Sequence, residues 1–250
     1  MSGHSHWSNI QHKKAAKDSK KGKVLSKLIK LIYTAVKEGG SPKPEDNPRL
    51  RLVLDKCRLA NMPKDNVKRA IEKAAGGSAG YERMTFEGYA QDGVAVVVEC
   101  LTDNSQRTGP EIRYIFDRAG ARVGKQGSVM HMFQRKGVFQ VDKGKTDGDA
   151  IIDAAIEAGA EDVIDQDSFL EIHSDPNSFL AVGEALARAG IETQLAELQF
   201  IPDNRIEVGL ESARKISRLI DLLEENEDVQ NVYANFDVSA EAAKELAAEE

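Results

Sequence analysis

The chain has 250 residues, a hydrophobic fraction of 41% and a charged fraction of 30%, close to an ordinary globular protein. Its two cysteines, Cys57 and Cys100, lie far apart without a Cys-x-x-Cys or flanking His pattern, which excludes a disulfide scaffold and a zinc module. The net charge of −7 conceals a division: residues 1–73 hold 18 Lys and Arg against 7 Asp and Glu, a balance of +11, while the rest hold 16 against 34, a balance of −18. Opposite signs in two parts of one chain suggest a basic module that meets a polyanion, carried on an acidic body.

The basic part opens with Gly3-His4-Ser5-His6-Trp7 and His12-Lys13-Lys14. Eight lysines fall between positions 13 and 30 against one acid, Asp18. Lys13, Lys14, Lys17, Lys20 and Lys21 project over more than one helical face and Gly22 interrupts the pattern, so residues 3–22 read as a basic arm that orders on binding. From position 23 the pattern changes. Leu25, Leu28, Ile29, Ile32 and Val36 form one apolar stripe, with Lys23, Lys27, Lys30 and Lys37 on the other side. Gly39-Gly40 ends this helix.

Asn47 followed by Pro48 starts a second helix, with Leu50, Val53, Leu54, Cys57 and Ala60 inward. Leu52 and Leu59 lie opposite, which suggests that the helix is sandwiched. A third helix from Pro63 to Gly76 turns Val67, Ala70, Ile71 and Ala74 inward. Residues 1–77 therefore read as a three-helix domain with a basic arm.

Beyond residue 80 the period changes. Residues 94–100 are a β-branched strand, and Thr108-Gly109-Pro110-Glu111 has capping-box spacing, starting a helix to about Ala119. Residues 128–133 read as a further strand. Residues 135–202 give β-α-β-α-β with an extra strand near 162–164, and a helix opening at Asp175-Pro176, which fits a ferredoxin-like unit. A long helix with Leu210, Ala213, Ile216, Leu219, Ile220 and Leu223 at core spacing precedes a strand over 229–238. That pair completes the β-α-β of 81–134 if the chain returns to it. The expected division is thus 1–77 helical, 78–134 with 203–238 as a discontinuous middle domain, 135–202 inserted, and 239–250 an acidic tail. The fold class is α+β multidomain.

Catalytic signals are weak. Gly120 to Lys125 has three residues between its glycines and Gln126 where a phosphate loop needs Ser or Thr, so the Walker reading fails. Asp103, Arg107 and Glu111 lack a nucleophile or cofactor fingerprint beside them and read as loop anchors and caps. His131 and His173 read as strand residues. No enzyme activity, cofactor, metal or small-molecule substrate is expected. The third helix mixes Lys64, Lys68, Arg69 and Lys73 with Asp65 and Glu72, unlike the basic, amide-rich face of a major-groove reader.

The expected phosphate contacts are Lys13, Lys14, Lys17, Lys20, Lys21, Lys23, Lys27 and Lys30, with Trp7 and the imidazoles of His4, His6 and His12 as base-stacking candidates. Arg49, Arg51 and Arg107 are secondary candidates. No apolar run reaches the roughly 20 residues of a membrane span and no apolar stretch follows the basic N-terminus, so a cytoplasmic protein is expected.

The opening motif, Ser26-Lys27-Leu28, Asn47-Pro48-Arg49-Leu50-Arg51, Ala60-Asn61-Met62-Pro63, Glu87-Gly88-Tyr89, Thr102-Asp103-Asn104, Arg107-Thr108 and Gly127-Ser128 together resemble the YebC family of bacterial proteins and their mitochondrial relatives. The likeness runs to about residue 238. Gln11 stands where the family commonly has lysine. The resemblance implies an N-terminal helical domain and two α+β domains, one inserted in the other. It also implies one of two functions: a DNA-binding transcriptional regulator, or a translation factor that acts on the ribosome through ribosomal RNA and assists synthesis through difficult sequences.

Overall fold

The structure is a computed structural model that describes residues 21–77, 80–144, 148–166 and 169–248. Its contacts divide the chain into two compact units: Phe133–Asp203, and the chain on either side of it, up to Met132 and from Asn204 onward.

The second of these units opens with three helices. The apolar stripe of α1 (Lys21–Gly39) packs Leu28, Ile32 and Val36 against α2 (Pro48–Leu59) and α3 (Lys64–Ala75), in a core shared with Leu50, Cys57, Ala70 and Ala74. Asn47 is fully buried and holds the first corner. Its Oδ1 accepts the Leu50 N–H at 3.0 Å, while its Nδ2 donates to the Ala35 and Ser41 carbonyls at 2.9 and 2.8 Å. One side chain thus caps the start of α2 and satisfies carbonyls where α1 ends. Gly39 leaves it room, since a Cβ there would lie 2.3 Å from the Asn47 amide. The second apolar side of α2 is not sandwiched as its composition suggests: Leu59 is 54% exposed and Leu52 only half-buried.

A hairpin follows, β1 (Glu82–Tyr89) with β2 (Ala95–Thr102), then α4 (Ser105–Arg118) and the short β3 (Arg122–Val123). The sequence pattern does not announce β1, because Glu82, Arg83, Glu87 and Gly88 disguise its period. Gly88 is required there: a Cβ would meet the Phe116 ring at 2.5 Å and the Arg122 carbonyl at 2.6 Å. The capping-box start of α4 is also corrected. The Asn104 side chain accepts the Arg107 N–H at 3.1 Å and starts the helix at Ser105, leaving Pro110 inside it. The expected strand over 128–133 is instead a single 3-10 turn, Met130–Met132, and the next strand starts at Phe133.

The unit Phe133–Asp203 holds β4 (Phe133–Asp142), α5 (Gly148–Glu157), β5 (Ala160–Asp165), β6 (Phe169–Ser174), α6 (Phe179–Arg188) and β7 (Thr193–Pro202). Its antiparallel sheet has the order β5-β6-β4-β7, the ferredoxin-like arrangement. The rings of Phe139 on β4 and Phe179 on α6 stack with centroids 4.8 Å apart. Asp175-Pro176 forms a turn rather than the first helical residues, because the Asp175 carboxylate accepts the Asn177 N–H at 2.8 Å.

The chain then returns with β8 (Ile206–Val208), α7 (Leu210–Glu224), β9 (Val229–Ala234), β10 (Phe236–Val238) and α8 (Ala240–Ala248). β9 pairs with β2, giving the sheet β3-β1-β2-β9, and β10 pairs with β8 in parallel. The strand expected over 229–238 is broken at Asn235, whose side chain accepts the Ala95 N–H at 2.7 Å while its carbonyl accepts from Ile206 at 2.8 Å. Ile112 and Phe116 of α4 and Ile216, Leu219 and Leu223 of α7 form one core with β2 and β9. The segment expected as an acidic tail is largely α8, and it buries Ala242 and Leu246 in that same core.

Replacing Asn47 by Ala removes a cap and orphans two carbonyls; it is expected to destabilise the unit by about 2 kcal/mol. Urea unfolding of the variant measures this, and an unchanged midpoint contradicts the role assigned to Asn47.

Candidate nucleic-acid interface

His4, His6, Trp7, His12, Lys13, Lys14, Lys17 and Lys20 lie outside the described residues, and Lys21 is described only as the first residue of α1. The described part of the basic face has a definite place. Lys23, Lys27 and Lys30 occupy positions i, i+4 and i+7 of α1, on one edge of the helix. That edge lies on the C-terminal end of α7. Lys23 Nζ donates to the Glu225 carbonyl at 2.8 Å, Lys27 Nζ to the Glu224 carbonyl at 2.9 Å, and Lys30 Nζ to the Glu227 carbonyl at 2.9 Å. The last carbonyls of a helix have no intrahelical donors and carry the negative end of the helix dipole, so ammonium groups are favourable there. Burial pushes the Lys27 ammonium below its usual range, against the pull of Glu224.

Lys30 reaches one residue deeper. Its Nζ lies 2.5 Å from Asp228 Oδ1, and Asp228 is only 2% exposed. The other carboxylate oxygen accepts from Arg107 Nη2 and Thr108 Oγ1, both at 2.7 Å, and from Thr102 Oγ1 at 3.1 Å. Thr102 is the last residue of β2, and Arg107 and Thr108 belong to the first turns of α4. One carboxylate therefore joins α1, β2, α4 and the corner before β9. Desolvation opposes its charge, but the hydrogen bonds from Arg107, Lys30 and Thr108 prevail and hold its carboxyl at about 2.

The secondary candidates are engaged locally. Arg107 is shared between Asp228 and Asp103, the latter at 3.1 Å. Arg49 pairs with Glu38 at 2.7 Å, and Arg51 donates to the Pro44 and Glu45 carbonyls, both at 3.1 Å. Glu111 accepts from the Asn226 amide at 3.0 Å. His173 lies in β6 with Nε2 2.9 Å from Glu171 Oε1, whereas His131 sits in the exposed 3-10 turn rather than in a strand. Cys57 and Cys100 are buried free thiols, pushed by burial up to about 11 and about 12. Among the described residues no group of three or more His, Cys, Asp or Glu is arranged to hold a metal, and no helix is long and apolar enough to cross a membrane.

Two carboxylates escaped the sequence reading. Asp228 ends the acidic run Glu224-Glu225-Asn226-Glu227-Asp228, which reads locally as a helix-to-strand link. The signal lay in its position beside a strand rather than in its charge. Glu87 is 4% exposed inside a hairpin strand and accepts the N–H groups of Gly127, Val129 and Met130 at 2.6, 2.8 and 2.8 Å. Burial works against its charge, and these backbone donors hold its carboxyl below the usual range. In the sequence Glu87 stands out only as part of the Glu87-Gly88-Tyr89 stretch that carries the family resemblance, which says nothing of its burial.

The fold and this network define a class: α+β proteins in which a basic helical module is seated on a sheet domain that carries an inserted ferredoxin-like unit. A family profile described as TACO1/YebC protein N-terminal domain matches residues 5–77, and one described as TACO1/YebC second and third domain matches residues 81–236. The chain belongs to the TACO1/YebC family. It is 46% identical over 248 residues to a protein of Trichlorobacter lovleyi, covering 98% of this chain and all of that one. A Rubrobacter xylanophilus protein is 48% identical over 250 residues, covering 99% and 100%. Both are named "Probable transcriptional regulatory protein". Among solved structures, a conserved hypothetical protein from Aquifex aeolicus superposes with a TM-score of 0.82 at 38% identity, over 89% of this chain and 92% of that one.

Asp228→Asn leaves Lys30 without its counter-charge and Arg107 with Asp103 alone, and a loss of about 2–4 kcal/mol is expected at neutral pH. Because the folded carboxyl sits near 2, below its ordinary value of 3.8, its stabilisation is present above pH 4 and disappears as pH falls towards 2. Urea midpoints at pH 7 and pH 3 should therefore converge for the two proteins as the solution is acidified. A constant gap contradicts the charge-based account.

Proposed function

We propose that this protein is a non-catalytic regulator that binds nucleic acid through its basic N-terminal segment. The observation that carries the reading is the charge division, +11 in residues 1–73 against −18 in the rest. Polyanion binding by lysines gains from release of condensed counterions, and an acidic body repels the same polyanion elsewhere. The names of the relatives, probable transcriptional regulatory proteins, agree with a regulator. In this reading Lys13, Lys14, Lys17, Lys20 and Lys21 contact phosphate, with His4, His6, Trp7 and His12 stacking on unpaired bases. Lys23, Lys27 and Lys30 have a double role: they face the same polyanion and they seat the helix from which the arm extends. Arg49, Arg51 and Arg107 shape the adjoining surface.

DNA is the target that the word transcriptional suggests. A second reading, structured RNA such as ribosomal RNA on the ribosome, draws support from α3. Its outer face joins Lys68 to Glu72 at 3.9 Å and turns Arg69 back onto the Asp65 carbonyl and the Asn66 side chain at 3.2 and 2.8 Å. Such a face offers little to the edges of base pairs in a major groove.

Cross-linking in cells, followed by sequencing of the bound nucleic acid, distinguishes promoter DNA from ribosomal RNA. Changing Lys13, Lys14, Lys17 and Lys20 together to Ala should lower the log–log salt slope by about 3.6 on duplex DNA, or about 2.8 on a single strand. A folded variant with the wild-type slope on both overturns the assignment to the arm.

A further inference from the structure

The acidic body carries a basic island on α4 and the loop beyond it. Residues 113–128 contain Arg113, Arg118, Arg122 and Lys125 against a single acid, Asp117, in a region whose overall balance is strongly negative. All four bases are exposed. Tyr114, on the outer face of α4, is 64% exposed and is the most open of the large hydrophobic side chains on the described surface. Arg118 follows it by four residues, one turn along the same face. Among the described residues, neither the Arg118 guanidinium nor the Lys125 ammonium has a hydrogen-bond or ion-pair partner, in contrast to those of Lys30 and Arg107.

The island continues through β3 into a loop that is held rigidly from beneath. The Arg122 guanidinium lies 6.0 Å from the centre of the Tyr89 ring, and the Tyr89 hydroxyl donates to the Ser128 carbonyl at 2.9 Å. The Gly124 N–H donates to the Glu87 carbonyl at 2.7 Å, while the Glu87 carboxylate collects the three N–H groups of Gly127, Val129 and Met130. Burying a carboxylate costs several kcal/mol unless it is fully hydrogen-bonded. Here that investment fixes the loop on both sides of an exposed tip, Lys125-Gln126, which touches no core. The anchored loop holds the exposed Lys125 and Gln126 between two fixed points, Gly124 and Gly127.

We infer that Tyr114, Arg118 and the Lys125-Gln126 tip form a second nucleic-acid contact, separate from the N-terminal arm, that takes an unpaired RNA strand. An open tyrosine face offers a stacking surface to an unstacked base, and cations one helical turn and one loop away suit the phosphates that flank it. A regular duplex hides its base faces, so the tyrosine discriminates against it. The inference rests on the nucleic-acid reading above and adds to it a site on the acidic body.

The test uses the full chain with a fluorescent single-stranded RNA of mixed sequence and a duplex DNA of equal length. Tyr114→Ala should weaken RNA binding about fivefold or more, with Tyr114→Phe restoring it and duplex binding unchanged. Arg118→Ala with Lys125→Ala should reduce the salt slope on RNA by about 1.4. Ultraviolet cross-linking of the wild-type protein to the same RNA should label residues 113–128, a result independent of how the variants fold. Wild-type RNA binding by all patch variants, with no label in this segment, overturns the second site while leaving the arm intact. Equal losses on duplex DNA overturn its preference for unpaired RNA. A wild-type protein that binds neither probe overturns the nucleic-acid reading itself, and this proposal with it.

Discussion

Asp228 is the carboxylate on which the seating of the helical module depends. It is buried, charged, and surrounded by a lysine from α1, an arginine and a threonine from α4 and a threonine from β2. A buried charge is tolerated only when its lone pairs are filled, so each of these elements must approach in a fixed position. Around it, Lys23 and Lys27 answer the open carbonyls at the end of α7, and Lys30 the Glu227 carbonyl in the turn beyond it. The lysine contacts are polar and hold by complementarity between ammonium groups and carbonyl oxygens, while Tyr81, just before β1, adds an aromatic contact, its ring edge-on to Tyr33 of α1 with centroids 5.5 Å apart.

This arrangement changes the meaning of the basic helix. A lysine-rich face beside an apolar stripe has the pattern of a helix that rests on a core and meets phosphate with the rest. Here the lysine face itself has a protein partner, because a helix C-terminus presents carbonyl oxygens much as a phosphate presents its own. The same three side chains can thus position the module and lend positive potential beside the arm. The loop above Glu87 uses the reverse device, with backbone N–H groups gathered on a buried carboxylate so that a cation-bearing tip is held outward.

Much of the fold was legible because it follows local rules. The stripes of α1 and α7 place Leu28, Ile32, Ile216 and Leu219 in cores, as helical spacing requires. Asn47 with Pro48 marks a helix start that the side-chain hydrogen bond to Leu50 makes explicit. The errors arose where two local rules competed or where none applied. Asn104 caps α4 four residues before Thr108, the position that capping-box spacing selects. β1 has too many charged residues and a glycine, and only the close approach of the Phe116 ring and the Arg122 carbonyl explains why that glycine belongs in a strand. The final helix looked like solvated acid, yet Ala242 and Leu246 are enough to anchor it.

Sequence by itself determined the α+β class, the amphipathic helices, the unequal distribution of charge and the family signature, since each is written in short-range pattern. Tertiary structure decided which groups the lysines meet, which carboxylates are buried and where the chain rejoins its first sheet. Lys30 and Asp228 are separated by 198 residues, and no periodicity reaches across that interval. Such a pair exists only once β9 has docked beside β2 and brought the end of α7 to α1. The energy of a buried charge depends on that geometry rather than on residue type.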